Sequence, residues 1–371
     1  MRIGILTLAA GRRAGGPETY EIEFIRALTQ IDRRNEYFIY CTGQYAADAL
    51  EIQQDNFTLR VLKPAFRPIS LTFTLPVWLK RDGIDLLHAT YASPPLVPKN
   101  MVMTMHGMVN FLHPEFFPKS QLWRLNALMK IGLKKARLVL CVSDHVRQQV
   151  AELLKIPCQR LVVSHLGVGR QFAPMPRAQA KALAAERHGL TDPYILYVGK
   201  CHPAKNLERL IRAYAEFRDR YRSEVRLVMV GSRAGQTAEA GLIAELGLSE
   251  SVIRIPYLPP ADLPVLYSAA DAFVFPSLFE SFGLPVVEAM ACGTPVVTSN
   301  VACLPEITDG AAVLVNPHSV TDIADGIGRV QSSRTLRETL VSRGLERARC
   351  FTWENCARST VAAYAGLEAN G

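Results

Sequence analysis

The residues with the clearest chemistry lie at positions 275–297, FPSLFESFGLPVVEAMACGTPVV. Gly283 lets the backbone approach a ligand closely, and Pro285 suits a first helical turn, so a helix is expected to start at Leu284 or Pro285. Such a start turns unpaired N–H groups and the positive end of the helix dipole towards an anion. Glu288 follows on the same helix, and a carboxylate that accepts two hydrogen bonds fits the vicinal hydroxyls of a ribose. Glu280 precedes the helix and can reach further hydroxyls. Either glutamate alone reads equally well as an ordinary loop or helix carboxylate. The combined pattern Pro-Ser, Glu-x-Phe-Gly-x-Pro, Glu and Gly-Thr-Pro is what points to one binding site.

The elements that would carry these residues alternate between strand and helix. Apolar runs at 194–198, 226–230, 252–255, 272–275, 295–298 and 312–315 read as strands, and Leu207, Leu210, Ile211, Tyr214 and Phe217 follow helical spacing. The first half repeats this less regularly, with strands expected at 3–8, 37–40, 59–62, 86–88, 102–105, 139–142 and 161–164 and a first helix at 17–29. Alternation of this kind implies α/β architecture with parallel sheets and ligands at the strands' carboxyl ends. The stretch 172–193, with Pro174, Pro176 and Pro193, separates the two sets and is expected to be the linker. The domains are therefore drawn at 1–170 and 171–351.

Composition narrows the class. Hydrophobic residues make up 49% and charged residues 20% of the 371, enough for two folded cores and unlike a disordered chain. No apolar run approaches the roughly 18 residues of a membrane span. The short run at 3–10 reads as a buried strand rather than a signal peptide, and eight dispersed cysteines without a CxxC pair read as reduced thiols, so a cytoplasmic location is expected. The net charge of +8 is uneven: residues 1–170 carry 22 Lys and Arg against 13 Asp and Glu, whereas 171–371 carry 20 against 21. A basic first half suits an anionic partner. Nucleic acid is not expected, because no base-reading module is present.

Two basic, aromatic segments in that half stand out. On a helix over 119–137, Lys119, Trp123, Lys130, Lys134 and Arg137 fall within about 60° of one another, with Phe111, Phe116 and Phe117 just upstream. This face reads as a surface for an anionic membrane or as a solvated basic face with Trp123 half-buried. The segment 63–81, with Phe66, Phe73 and Trp78, reads as core packing in preference to a second docking face.

The 275–297 segment resembles the donor motif of retaining glycosyltransferases of the GT-B fold, family 4, the glycosyl transferases group 1 type. That family spaces two glutamates as Glu280 and Glu288 are spaced. The likeness extends to residues 197–206, YVGKCHPAKN, as a phosphate-binding loop, and to 262–277, 304–306, 311–317 and 351–354. The resemblance implies two Rossmann-like doubly wound domains facing a central cleft, with a terminal helix over 352–371 packing back on the first. It implies that Lys200 and Lys205 hold a pyrophosphate, that Glu288 binds the ribose, and that Glu280 and the backbone of Phe282, Gly283 and Leu284 hold the sugar and adjacent phosphate. Gly199, Gly231, Tyr257 and Leu258 complete the implied donor site, Gly15 and Gly16 resemble the family's glycine loop, and His106 resembles its active-site histidine. Position 200 is more often arginine in the family, and the usual His-Asp is here His106-Gly107.

The implied reaction transfers a hexose from a nucleotide-sugar to a glycan or lipid-linked acceptor. Overall likeness is to bacterial mannosyltransferases of polysaccharide and O-antigen assembly, which makes GDP-mannose the first expected donor and UDP-glucose or UDP-N-acetylglucosamine the second. A non-catalytic nucleotide-sugar-binding subunit is the non-enzyme alternative. An epimerase on the same fold would need dedicated acid and base carboxylates that the spacing does not supply. A peripheral contact with the anionic inner face of the membrane is also expected. No cofactor or metal is expected: Asp82 and Asp85 are too far apart in sequence for an Asp-x-Asp pair, and two lysines with a helix start can neutralise a departing diphosphate through charge-assisted bonds of ~1.5–3 kcal/mol each. Transfer activity should therefore be unchanged by EDTA; a loss restored by added magnesium or manganese would overturn this reading.

Overall fold

A computed structural model describes residues 1–12, 15–116, 119–231, 237–259 and 261–369, with the backbone alone at 116, 119–121, 124 and 369. The chain divides into two compact units, Met1–Gly167 with Thr352–Gly371, and Val168–Phe351.

The first unit is built on a seven-stranded sheet in the order β3-β2-β1-β4-β5-β6-β7. Its strands are β1 (Arg2–Thr7), β2 (Glu36–Cys41), β3 (Phe57–Val61), β4 (Leu86–Ala89), β5 (Met101–Met105), β6 (Leu138–Cys141) and β7 (Leu161–Val163). The second unit has six strands in the order β10-β9-β8-β11-β12-β13. These are β8 (Tyr194–Val198), β9 (Arg226–Val230), β10 (Val252–Ile255), β11 (Ala272–Phe275), β12 (Val296–Ser299) and β13 (Ala312–Val315). Every pairing is parallel. Continuous apolar runs such as Tyr194–Val198 are buried along their whole length, as strands covered on both faces must be. The strand order reverses between β1 and β4 in one sheet and between β8 and β11 in the other. At such a switch point neighbouring crossovers leave in opposite directions and open a crevice at the carboxyl edge.

A buried polar chain holds the first unit together. The Tyr364 hydroxyl lies 2.6 Å from His88 Nδ1, His88 Nε2 lies 2.7 Å from Thr104 Oγ1, and that hydroxyl lies 3.0 Å from the Tyr20 hydroxyl. Burial drives the His88 pKa down to about 3, so the ring stays neutral and donates from one nitrogen while accepting at the other. Through it the terminal helix Trp353–Ala369 is bonded to β4, β5 and the first helix, Gly16–Ile31.

Three expectations are corrected. The stretch 172–193 is not a linker: Arg177–His188 is a helix packed on the helix Leu263–Ala269, and the division falls between Gly167 and Val168. Its prolines flank a helix whose Ala180 and Ala184 are buried. Nor is 63–81 core, since Phe66 and Phe73 are 63% and 68% exposed. In the helix Lys119–Lys135, Trp123 is 70% exposed rather than half-buried. Phe117 lies outside the described residues, as do the side chains of Phe116 and Lys119.

Removing the Tyr364 hydroxyl leaves a buried imidazole nitrogen unpaired, a cost of about 1–3 kcal/mol. Tyr364→Phe should lower the urea midpoint of the first unit accordingly, while an unchanged midpoint would show the bond to be dispensable.

Candidate active site

The switch point of the second sheet gathers the charged candidates. After β8 the chain makes a one-turn helix, Pro203–Lys205, and Asn206 follows in the left-handed conformation at φ 59°. The Asn206 side-chain amide donates to the carbonyls of Pro276 at 2.9 Å and Pro317 at 2.7 Å, and Leu278 N–H donates to the Ala204 carbonyl at 2.8 Å. These bonds tie the turn that carries Lys205 to the loop that carries Glu280. Lys205 Nζ accordingly forms an ion pair with Glu280 Oε1 and lies 5.1 Å from the centre of the Phe275 ring. Both side chains are largely buried, so each charge depends on the other for compensation. His202 stands beside them. Burial and the Lys205 charge hold its pKa below the usual value, and its Nδ1 accepts the Ala204 N–H at 3.2 Å, leaving the proton on Nε2.

The glycines of this edge let loops close on each other. A Cβ on Gly231, at φ 88°, would lie 2.6 Å from the Gly199 carbonyl oxygen. Lys200 is exposed next to Gly199, and Tyr257 and Leu258 lie in the loop after β10, further along the same carboxyl edge. The structure thus brings Lys205 and Glu280 into contact, sets Gly199 and Lys200 on the same loop as Lys205 and Gly231 on the next, and leaves Tyr257 and Leu258 two strands further along the edge.

Gly283, at φ 86°, caps the helix Leu284–Ala291, so Phe282, Gly283 and Leu284 form its entry. Glu288 lies on this helix, Glu280 in the loop before it, and Glu288 takes a different partner. Its Oε2 accepts the Tyr267 hydroxyl at 3.0 Å, and burial pushes its pKa up to about 7 despite that bond. Tyr267 is itself wholly buried. Ionised, Glu288 can accept from two vicinal hydroxyls, and donors of that kind favour the charged form that burial disfavours.

In the first unit, a carboxylate with no role in the sequence reading organises the loop after β1. Glu21, fully buried, accepts the N–H groups of Leu8, Ala9 and Ala10 at 2.8, 2.7 and 2.6 Å and the Thr90 hydroxyl at 2.6 Å. Gly15 then enters the helix Gly16–Ile31 at φ 80°, a conformation that favours glycine. Thr90 also links this clamp to His106, whose Nε2 donates to the Thr90 carbonyl at 2.8 Å. That bond places the proton on Nε2 and leaves Nδ1 as an acceptor, and burial holds the pKa down at about 4, so His106 is neutral at physiological pH. Gly107 has φ 148°, which L residues rarely adopt, so an aspartate after His106 would be strained in this backbone. Among the described residues no group of three or more His, Cys, Asp or Glu could hold a metal ion.

The sequence reading gave no individual role to Glu21, Tyr267, His202 or Asn206, although the last three lie in the segments 262–277 and 197–206 that it matched. Asn206 had the best available signal, an asparagine directly before a helical apolar pattern, where side-chain capping and left-handed turns are common. Glu21 and Tyr267 sit at helix positions that carry no such mark.

Glu288 makes stability pH-dependent. Its folded-state pKa is raised, so between its ordinary value near 4.5 and about 7 the folded state keeps a proton that the unfolded state sheds. Wild-type stability from this group falls across that window and stays low above it. Glu288→Gln should gain melting temperature relative to wild type as pH rises from 5 to 7.5, then level off; a constant difference would refute the raised pKa.

Residues 14–172 match the family described as Glycosyltransferase Family 4, and residues 179–347 match Glycosyl transferases group 1. The chain is 34% identical over 289 residues to O-antigen chain mannosyltransferase B of Escherichia coli, covering 77% of this chain and 76% of that one. It is 32% identical to a D-inositol 3-phosphate glycosyltransferase of Kribbella flavida, covering 95% and 90%. The structure of sucrose-phosphate synthase from Thermosynechococcus elongatus superposes over 100% of both chains with a TM-score of 0.80 at 23% identity, which establishes the shared GT-B fold. The two parallel α/β sheets and these matches along both halves identify the chain as a glycosyltransferase of family 4, the glycosyl transferases group 1 type.

Proposed function

We propose that this enzyme transfers mannose from GDP-mannose to a glycan or lipid-linked acceptor, with retention of configuration and without a metal ion. The observation that carries the proposal is the 34% identity to an O-antigen chain mannosyltransferase along three quarters of both chains. In the proposed complex Glu288 takes the ribose hydroxyls, Lys200 and Lys205 the pyrophosphate, and Glu280 the hydroxyls of the sugar. The N–H groups entering the Leu284 helix face the phosphate next to the sugar, and Gly199, Gly231, Tyr257 and Leu258 line the nucleotide.

The ion pair supports this division of labour. The bond that breaks joins the sugar's anomeric carbon to a phosphate oxygen, so the groups serving the two sides must be neighbours. Lys205 and Glu280 are in direct contact. The acceptor hydroxyl oxygen bonds to the anomeric carbon on the face the diphosphate leaves, its proton passes to the departing phosphate, and GDP is released. The cation stabilises charge that grows on the leaving group, which is where preorganised electrostatics contribute most.

A thermal-shift panel of GDP-mannose, UDP-glucose and UDP-N-acetylglucosamine, followed by donor-hydrolysis assays, tests the reading. GDP-mannose should give the largest shift and be hydrolysed slowly. Lys200→Ala, an exposed position, should fold normally and cut turnover by about 100-fold. A larger shift with a UDP-sugar would replace the donor, and binding without hydrolysis or transfer would favour a non-catalytic subunit.

A further inference from the structure

The chain between β3 and β4 carries its apolar residues on the outside. Phe66, Ile69, Phe73 and Val77 are 63%, 44%, 68% and 55% exposed. They recur every three or four residues along a helical run made of Arg67–Ile69, a π-turn at Ser70–Thr74 and Leu75–Arg81, and so share one face. Leu71 and Leu75, on the opposite face, are 8% and 1% exposed and anchor the run to the first unit. The anchoring is reinforced at both ends. Arg67 donates to the carbonyl of Leu8, just past β1. Arg60 pairs with Asp82 at 3.0 Å and lies 4.9 Å from the centre of the Trp78 ring, while Arg81 lies 5.3 Å from it. The outward apolar face is therefore fixed by the fold.

Charge selects what covers it. No Asp or Glu occurs between Asp55 and Asp82, whereas Lys63, Arg67, Lys80 and Arg81 all do. Lys63, Lys80 and Arg81 are exposed around the stripe. Arg67 also repels Arg12 and has no carboxylate ion-pair partner among the described residues. The nearby Glu21 is saturated by three backbone N–H groups and a hydroxyl. A second copy of this face would bring the same cations together, which disfavours self-association. An apolar stripe rimmed by cations suits the boundary between acyl chains and acidic headgroups.

We infer that the face formed by Phe66, Ile69, Phe73 and Val77 docks the enzyme on an anionic phospholipid bilayer, with Lys63, Lys80 and Arg81 at headgroup level. The inference deepens the acceptor side of the proposed function and rests on its lipid-linked form. Because Arg67 reaches the Leu8 carbonyl, the docked face begins at the carboxyl edge of the first sheet, where a substrate diffusing in the bilayer would arrive.

Flotation of the full chain with phosphatidylcholine vesicles, with and without 30 mol% phosphatidylglycerol, tests this at low and high salt. The wild type should float with the acidic vesicles at low salt and lose most binding in 0.5 M salt or on neutral vesicles. Phe66→Ser with Phe73→Ser should reduce the bound fraction about tenfold or more. Lys63→Glu with Lys80→Glu should abolish the dependence on the acidic lipid, and Trp123→Ser should float like wild type. Each variant should keep the wild-type thermal shift with GDP-mannose, so loss of docking is separable from failure of the donor reading. Absence of wild-type flotation, undiminished flotation of the double phenylalanine variant, loss confined to Trp123→Ser, or a wild-type dimer that dissociates in the phenylalanine variant would each overturn the inference.

Discussion

Parallel pairing is the constraint on which the rest depends. Parallel strands cannot be joined by tight hairpins, so each returns through a crossover and all strands of a sheet end on one edge. In both units the functional candidates are loops on that edge, and the densest groups lie where strand order reverses. The loop after β1 meets the end of β4 through Glu21 and Thr90, and the turn after β8 meets the loop after β11 through Asn206, Lys205 and Glu280. Residues 75 positions apart become an ion pair because their strands are neighbours.

The two glutamates of the donor motif resolve burial in opposite ways. Glu280 is paired with a lysine, and Glu288 answers burial with a phenol and a raised affinity for its proton. The difference matches the roles proposed for them. A carboxylate paired with a lysine holds that cation in place, whereas one that grips ribose hydroxyls can be recharged by the ligand itself. His106 is a third solution, a ring kept neutral by burial and turned by one backbone carbonyl.

Much of this was legible in the sequence because it depended on local pattern. The strands Tyr194–Val198, Arg226–Val230, Val252–Ile255, Ala272–Phe275 and Ala312–Val315 lie where continuous apolar runs ending in turn residues placed them, and the Leu284 helix begins where Gly283 and Pro285 require. What was illegible depended on partners distant in the chain. Nothing near Glu21 announces that its carboxylate turns inward to collect three backbone N–H groups, and nothing near Tyr267 points to a carboxylate 21 residues away. The segment 172–193 misled because prolines that flank a helix look like those of a linker. The segment 63–81 misled because aromatic residues are usually buried, and only the tertiary structure shows which side of a helical run is left uncovered.

The bond from Tyr364 to His88 has a consequence for biosynthesis. The first unit is interrupted in sequence by the second, so 167 residues of it leave the ribosome without the helix that completes their core. The second unit is contiguous and can close as soon as Phe351 is clear of the exit tunnel. Until residues 353–369 follow, the amino-terminal unit lacks the helix whose Tyr364 hydroxyl pairs with His88. The order of synthesis and the order of completion are thus reversed: the half made first is finished last.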